Sequence, residues 1–280
     1  MPAPATNISE FAKQGYTMAR GLFSLDEAAA LREHFLWINE NHQRQSDNIT
    51  DKGDPLAQYP RVGQMHRWDE MSLNWLLDPR LNEWMTAILG REPLVAQSMY
   101  YFKPPGARGQ ALHQDQFYLR VQPGTCVAAW MAVDRCDEEN GCLFVVPGTH
   151  DIPVLCTVDA DTNTSFVNDT VELPPGYEPI PLIMEPGAVL FFNGQLVHGS
   201  YPNTSADRFR CAMIGHYIVG EAEAVAQHYH PILRMDGSEI DFGVSERGGP
   251  CGVWVDRDGE PVAVLEGVET RIEHRSRRRA

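Results

Sequence analysis

Gln110-Ala-Leu-His113-Gln-Asp115-Gln-Phe-Tyr118 places a histidine and an aspartate two residues apart in a run with strand character. Alternate strand side chains share a face, so this spacing predicts an imidazole and a carboxylate aimed at one point. A third ligand is available far downstream, in Asn193-Gly-Gln-Leu-Val-His198-Gly-Ser200. His113, Asp115 and His198 together make a two-histidine, one-carboxylate set, which holds non-haem Fe(II) on one face and leaves coordination positions open. The His-x-Asp pair alone carries little weight, because surface pairs of this kind are common. An arginine downstream of His198 adds to it. Arg210 lies in the apolar run Phe209-Arg-Cys-Ala-Met-Ile214. A guanidinium in an apolar strand is costly unless it meets an anion, and its planar fork suits a carboxylate.

With these residues in place the chain resembles the phytanoyl-CoA dioxygenase family of Fe(II)/2-oxoglutarate oxygenases. The blocks that carry the resemblance are His113-Gln-Asp115, Trp130-Met-Ala-Val-Asp134, Glu139-Asn-Gly-Cys-Leu143, Pro147-Gly-Thr-His150, Pro186-Gly-Ala-Val-Leu-Phe-Phe192, His198-Gly-Ser200, Asn203 and Arg210-Cys-Ala212. They keep the family's order over 97–217, and the two ends match only loosely. The resemblance implies Fe(II) as metal, 2-oxoglutarate as cosubstrate and O2 as oxidant, with succinate and CO2 as products. It also implies that a carboxylate at Asp115 goes with hydroxylation or a related oxidation, since related halogenases carry a small residue there. By the family pattern Arg210, just before Cys211-Ala212, takes the distal carboxylate of 2-oxoglutarate. Arg208 is the competitor, two residues away on the same strand face. His150 in Pro-Gly-Thr-His is implied to be a turn residue.

Length and composition bound the rest. A chain of 280 residues can bury a sizeable core, and β-barrels of this size are often one domain. No apolar run is long enough for a membrane span. The N-terminus lacks the basic and apolar regions of a signal peptide, which makes a cytoplasmic protein the expectation. A net charge of −15 argues against nucleic acid as a partner; the resemblance implies a small-molecule substrate. The family's acyl-CoA esters fit poorly, because their phosphates call for a basic surface. Oligomeric state is not legible. Six cysteines, at 126, 136, 142, 156, 211 and 251, show no paired spacing. Reduced thiols are the expectation, and a zinc site built from them is not. The basic stretch Arg275-Ser-Arg-Arg-Arg279 reads as a frayed tail.

Along the chain, 1–92 reads as a helical part. Asn7-Ile-Ser-Glu10 and Ser24-Leu-Asp-Glu27 both have the capping-box pattern, with a short strand over 15–20 between them. A polar loop covers 43–65, and Asp78-Pro79 starts a further helix that Gly90 stops. From 94 the pattern changes to short strands at 94–102, 110–119, 125–133, 142–146, 187–192, 199–201 and 209–219. The fold expected is mostly β with flanking helices around a double-stranded β-helix, or jelly-roll, core. The β core spans 94–219 and a C-terminal extension spans 220–280, all within one domain of 1–280. Asp258-Gly259 marks a late hairpin. The insertion 151–185 falls between the two halves of the metal set; the resemblance makes it a candidate lid, and the other reading is a passive surface insertion.

Supporting roles stay open at this level. Ser200 shares a face with His198 and either binds the cosubstrate carboxylate or is a turn serine. Gln97, Met99, Tyr101 and Lys103 share one face of their strand. If that face lines the barrel, Gln97 and Tyr101 reach 2-oxoglutarate; otherwise Ser98, Tyr100 and Phe102 point inward. Trp130 is either core packing or a substrate wall. Gln116 and Asn203 are candidates for bracing the ligands or touching substrate. His66 and Trp68, after the polar loop, could read the substrate or simply pack. His216, His228 and His230 have no partner pattern. Two other readings of the same residues are a zinc-dependent hydrolase or lyase, which has no use for Arg210, and a non-catalytic metabolite-binding barrel.

Overall fold

The computed structural model describes residues 3–41, 53–247 and 249–267. The N-terminal part is α1 (Ala5–Gln14), β1 (Tyr16–Ala19), α2 (Leu25–Asn41), α3 (Glu70–Leu76) and α4 (Pro79–Leu89). The capping box at α2 forms as expected: Glu27 N donates to Ser24 Oγ at 3.2 Å and Ser24 N donates to Glu27 Oε2 at 2.7 Å. The one expected at Asn7 does not. α1 starts three residues earlier, with Pro4 as its N-cap, and Asn7 and Glu10 hydrogen-bond Thr17 instead, tying the helix to β1. Tertiary partners outcompeted the local cap. Asp78 caps α4 and Gly90 ends it at φ 74°. The part of the polar loop over 43–52, and the basic tail at 275–279, lie outside the described residues.

The core strands are β2 (Leu94–Tyr101), β3 (Gln110–His113), β4 (Cys126–Ala132), β5 (Leu143–Val145), β6 (Ile180–Pro181), β7 (Val189–Asn193), β8 (His198–Ser200) and β9 (Ala212–Ile218). The larger sheet runs β1-β7-β4-β9-β2 and continues through the short strands Ile232–Leu233 and Glu239–Ile240. The smaller sheet runs β3-β8-β5-β6. This is a double-sheet β fold with helices on one side.

Strand alternation divides the larger sheet cleanly. Ala129, Met131, Tyr100, Phe191 and Met213 join the helices in one core, where Phe35 stacks on Tyr100 with centroids 4.0 Å apart and Trp84 stacks on Phe191 at 5.2 Å. Their neighbours of opposite parity, Trp130, Leu190, Phe192 and Ile214, face the space between the sheets. Tyr100 and Phe102 therefore belong to the helix side, and Met99 and Tyr101 to the interior.

One expected strand is cut short. β3 stops at His113, and 116–119 form a helical turn, α5 (Gln116–Leu119), with Asp115 at its N-terminal edge in helical φ/ψ. The chain turns inward because the Gln116 amide bonds Gly194 O at 2.8 Å, beside β7.

The cysteine expectation is corrected at one pair. Cys156, in the insertion, and Cys251, before the late hairpin, form a disulfide; the other four cysteines are free and buried. The hairpin itself is β10 (Gly252–Arg257) and β11 (Glu260–Leu265). Asp258 and Gly259 both take positive φ, as its tight turn requires. It packs on the insertion through Trp254, whose Nε1 donates to Glu172 O at 2.9 Å and whose ring meets Tyr177. The insertion in turn is stitched to β3, with Val171 N donating to Leu112 O at 3.0 Å. The bridge joins positions 95 residues apart, and a closed loop of that order typically stabilises a chain by about 2–4 kcal/mol. A Cys251→Ser variant should accordingly melt several degrees lower than the oxidised protein and be cleaved faster within 151–185. Treating the wild type with dithiol reductant should reproduce both effects, and unchanged melting would show that the packing holds the hairpin without the bridge.

Candidate metal centre

The two sheets enclose a cavity of about 390 Å³ whose wall includes His113, Asp115, His198, Gln97, Tyr101 and Trp130. Pairing of β8 with β3 sets His198 directly opposite His113. Their rings lie 4.2 Å apart between centroids. His113 Nδ1 is 2.9 Å from Ala111 O, and His198 Nδ1 is 2.9 Å from Leu196 O. A carbonyl only accepts, so each Nδ1 carries the proton and each Nε2 offers a lone pair. Asp115 Oδ1 lies 3.5 Å from His113 Nε2 and 3.7 Å from His198 Nε2. One ligand atom from each residue falls within 4.8 Å of the others, and all three side chains are buried.

The protonation states suit a cation. Burial pushes the Asp115 carboxyl up, but the facing His198 and His216 rings and the hydrogen bond from His216 hold it well below the usual carboxylate range. Burial, reinforced by His113, brings His198 down to about 4. Near neutral pH the set is therefore one anion beside a neutral imidazole with its lone pair exposed. It fits a divalent metal that accepts imidazole and carboxylate, which these three side chains would hold at the cavity wall.

Arg210 is buried just behind this wall. Its Nε donates to Gly141 O at 3.0 Å, and its guanidinium carbon stands 5.3 Å from the Trp130 ring centre. Gly141 must be glycine here: φ is +83°, and a Cβ would fall 2.6 Å from Tyr201 O. Burial works against the Arg210 charge, with no carboxylate paired to it among the described residues. Arg208 is placed differently. Its Nη1 donates to Asp137 Oδ2 at 2.7 Å, and its Nη2 to Asp137 Oδ1 and Glu139 Oε2, at the surface. Ser200 Oγ accepts from Lys103 Nζ at 2.7 Å. Lys103 is only 2% exposed, and burial and the neighbouring Arg210 push its pKa well down. Sequence reading put Lys103 on the right face and gave it no role.

The remaining candidates divide. Gln97 and Tyr101 face the cavity, with Tyr101 Oη accepting from Arg61 Nη1 at 3.2 Å. Asn203 is off the wall and braces the loop before Arg210, donating to Lys103 O at 2.9 Å and Arg208 O at 2.6 Å. Gln116 is also off the wall; its Nε2 donates to Val121 O at 2.7 Å and closes the turn after α5. His66 and Trp68 do not reach the cavity. His66 is buried with Nδ1 2.7 Å from Ser98 Oγ, on the helix-facing parity of β2, and Trp68 is 45% exposed at the surface. His216, which carried no assignment, lines the cavity and contacts Asp115, its Nε2 2.9 Å from Oδ2. Four consecutive insertion residues, 166–169, also line the cavity.

A double-sheet β fold with two histidines and an aspartate converging on one cavity is the architecture of a non-haem metal protein. Comparison with known proteins agrees. The model of the family described as Phytanoyl-CoA dioxygenase (PhyH) matches residues 11–212, and the chain belongs to that family. A Mus musculus protein, "Phytanoyl-CoA dioxygenase, peroxisomal", is 30% identical over 232 residues, covering 77% of this chain and 68% of its own. "Phytanoyl-CoA dioxygenase 1" of Oryza sativa subsp. japonica is 29% identical over 150 residues, and the match spans about half of each chain, 52% and 52%. Among solved structures, the epimerase SnoN in complex with Fe3+, alpha ketoglutarate and nogalamycin RO superposes with a TM-score of 0.66 at 18% identity, covering 78% of this chain and 84% of that one. EvdO2 from Micromonospora carbonacea var. aurantiaca complexed with 2-oxoglutarate gives 0.61 at 22%, covering 78% and 91%. At these identities the structures establish the fold. No described helix is long and apolar enough to cross a membrane.

Proposed function

We infer that this chain is an Fe(II)- and 2-oxoglutarate-dependent dioxygenase that hydroxylates a small molecule. The observation that carries the reading is the convergence of two Nε2 lone pairs and one carboxylate oxygen within 4.8 Å, beside a buried arginine with no acid partner among the described residues. Family membership supports it. Bound iron with 2-oxoglutarate supplies oxidative decarboxylation by O2, giving succinate, CO2 and an oxidising equivalent for the substrate.

The chain's own residues have distinct tasks. His113 and His198 hold the metal, oriented by their Nδ1–H bonds to carbonyls, and Asp115 supplies the charge that balances it. Arg210 takes the distal carboxylate of the keto acid through its two Nη groups, which make no hydrogen bond to the described protein. Ser200, held by Lys103, offers a hydroxyl to the same group. Gln97 and Tyr101 flank the bound acid, Trp130 walls it, and 166–169 of the insertion close the side toward substrate.

Anaerobic addition of Fe(II) and then 2-oxoglutarate should produce the weak visible charge-transfer band of a chelated keto acid. No band, together with tight zinc binding, would favour the hydrolase or lyase reading. Succinate release across a panel of metabolites, measured with and without O2, identifies the substrate.

A further inference from the structure

His216 sits on β9, the strand flanked on both sides in the larger sheet, opposite Gln97 on β2 and Ala128 on β4. Its position is therefore fixed by two ladders. Asp115 has no such support: it lies just past the last residue of β3 and begins a four-residue helical turn. An aspartate can rotate about its Cβ–Cγ bond on any backbone, so which oxygen faces the two histidines is set by what the other oxygen meets. His216 Nε2 meets Asp115 Oδ2 at 2.9 Å, across 101 residues of sequence, and both side chains are buried. The other imidazole nitrogen, Nδ1, is buried with no hydrogen-bond partner among the described residues. An unmet N–H would cost more there than an unmet lone pair, so the proton belongs on Nε2, donated to the carboxylate.

With Oδ2 occupied, only Oδ1 points between His113 Nε2 and His198 Nε2. We propose that His216 is a positioning residue that pins Asp115 as a one-oxygen ligand, anchoring the carboxylate of the smaller-sheet side to the larger sheet. This rests on the iron reading above and extends it. A carboxylate free to turn would offer both oxygens to the metal and take up a position that the chelating keto acid needs. Partners of this kind, which act on a metal through its ligand, are typically worth about 10–100-fold in metal affinity or activity.

Two variants and one measurement on the unaltered protein test this. Gln at 216 keeps an N–H near the position of Nε2; Leu keeps the bulk and removes the donor. His216→Leu should bind Co(II) about 10–100-fold more weakly than wild type, with a shifted visible Co(II) spectrum and a weaker keto-acid band with Fe(II). His216→Gln should recover most of the affinity and the wild-type spectrum. Should His216→Leu fail to fold, long-range 1H–15N spectra of the metal-free wild type decide the matter: the His216 ring should carry its proton on Nε2. A proton on Nδ1, or a folded Leu variant with wild-type Co(II) affinity and spectrum, overturns the proposal. A wild type that binds neither Co(II) nor Fe(II) overturns the iron reading beneath it, and the nitrogen spectrum separates that failure from the first.

Discussion

Asp115→Ala is expected to abolish succinate release, lowering turnover by at least about three orders of magnitude, with the fold retained. The carboxylate is the anionic member of the ligand set and the side chain that faces both histidines. Without it the two imidazoles remain, their ring centres 4.2 Å apart, and they lack the negative charge that makes a divalent cation worth desolvating. The same variant leaves the His216 Nε2–H without its acceptor. An unmet buried donor costs about 1–3 kcal/mol, so the metal-free variant should melt modestly below the metal-free wild type. The decisive comparison is the response to metal. A ligand that binds only the native state at one hundred times its Kd stabilises it by about 2.7 kcal/mol. Wild-type melting should therefore rise on adding Co(II) or Fe(II) under argon, and that of Asp115→Ala should stay flat. A variant that still gains stability from metal would place the binding site elsewhere.

The convergence of His113, Asp115 and His198 was legible in the sequence, though the local reasoning reached it by a route the backbone does not take. Period-two alternation requires a continuing strand, and the strand ends at His113. Asp115 reaches the shared point from a helical turn. What survives is the convergence of two short motifs 85 positions apart, which the β8–β3 pairing places at one register. His216 was within reach and missed. In the strand expected over 209–219, Arg210, Ala212, Ile214 and His216 share a face, so a reading that turned Arg210 inward had also turned His216 inward; the strand itself starts at Ala212. Lys103 comes out by the same parity from Gln97 and Tyr101. The disulfide was not legible: its cysteines are 95 residues apart, in segments whose packing depends on a hairpin far from either motif. The cap at Asn7 failed for a related reason, since a side chain that can cap a helix can also bond the next strand, and only tertiary structure decides between them.

The two late arginines should separate sharply under substitution. Arg210→Ala should raise the KM for 2-oxoglutarate about 100-fold or more, because a two-point contact from arginine to carboxylate carries hydrogen bonds worth about 1.5–3 kcal/mol each. Arg208→Ala should leave that KM within about twofold, as expected for an exposed ion pair, its fork being spent on Asp137 and Glu139. Loss of general integrity at Arg210 is a competing explanation, since its Nε also supports Gly141 O. Substrate choice removes it. 2-Oxovalerate keeps the chelating keto acid of 2-oxoglutarate and replaces the distal carboxylate with a methyl group. Wild type should strongly prefer 2-oxoglutarate over 2-oxovalerate in kcat/KM, and Arg210→Ala should erase most of that preference while treating 2-oxovalerate about as well as wild type does. A merely damaged protein would lose both substrates in proportion. Arg210→Lys should fall between, since an ammonium supplies charge without the planar fork. If instead Arg208→Ala collapses the preference and Arg210→Ala keeps it, the distal carboxylate lies toward the surface and Arg210 is a buried cation held by Gly141 and the Trp130 face.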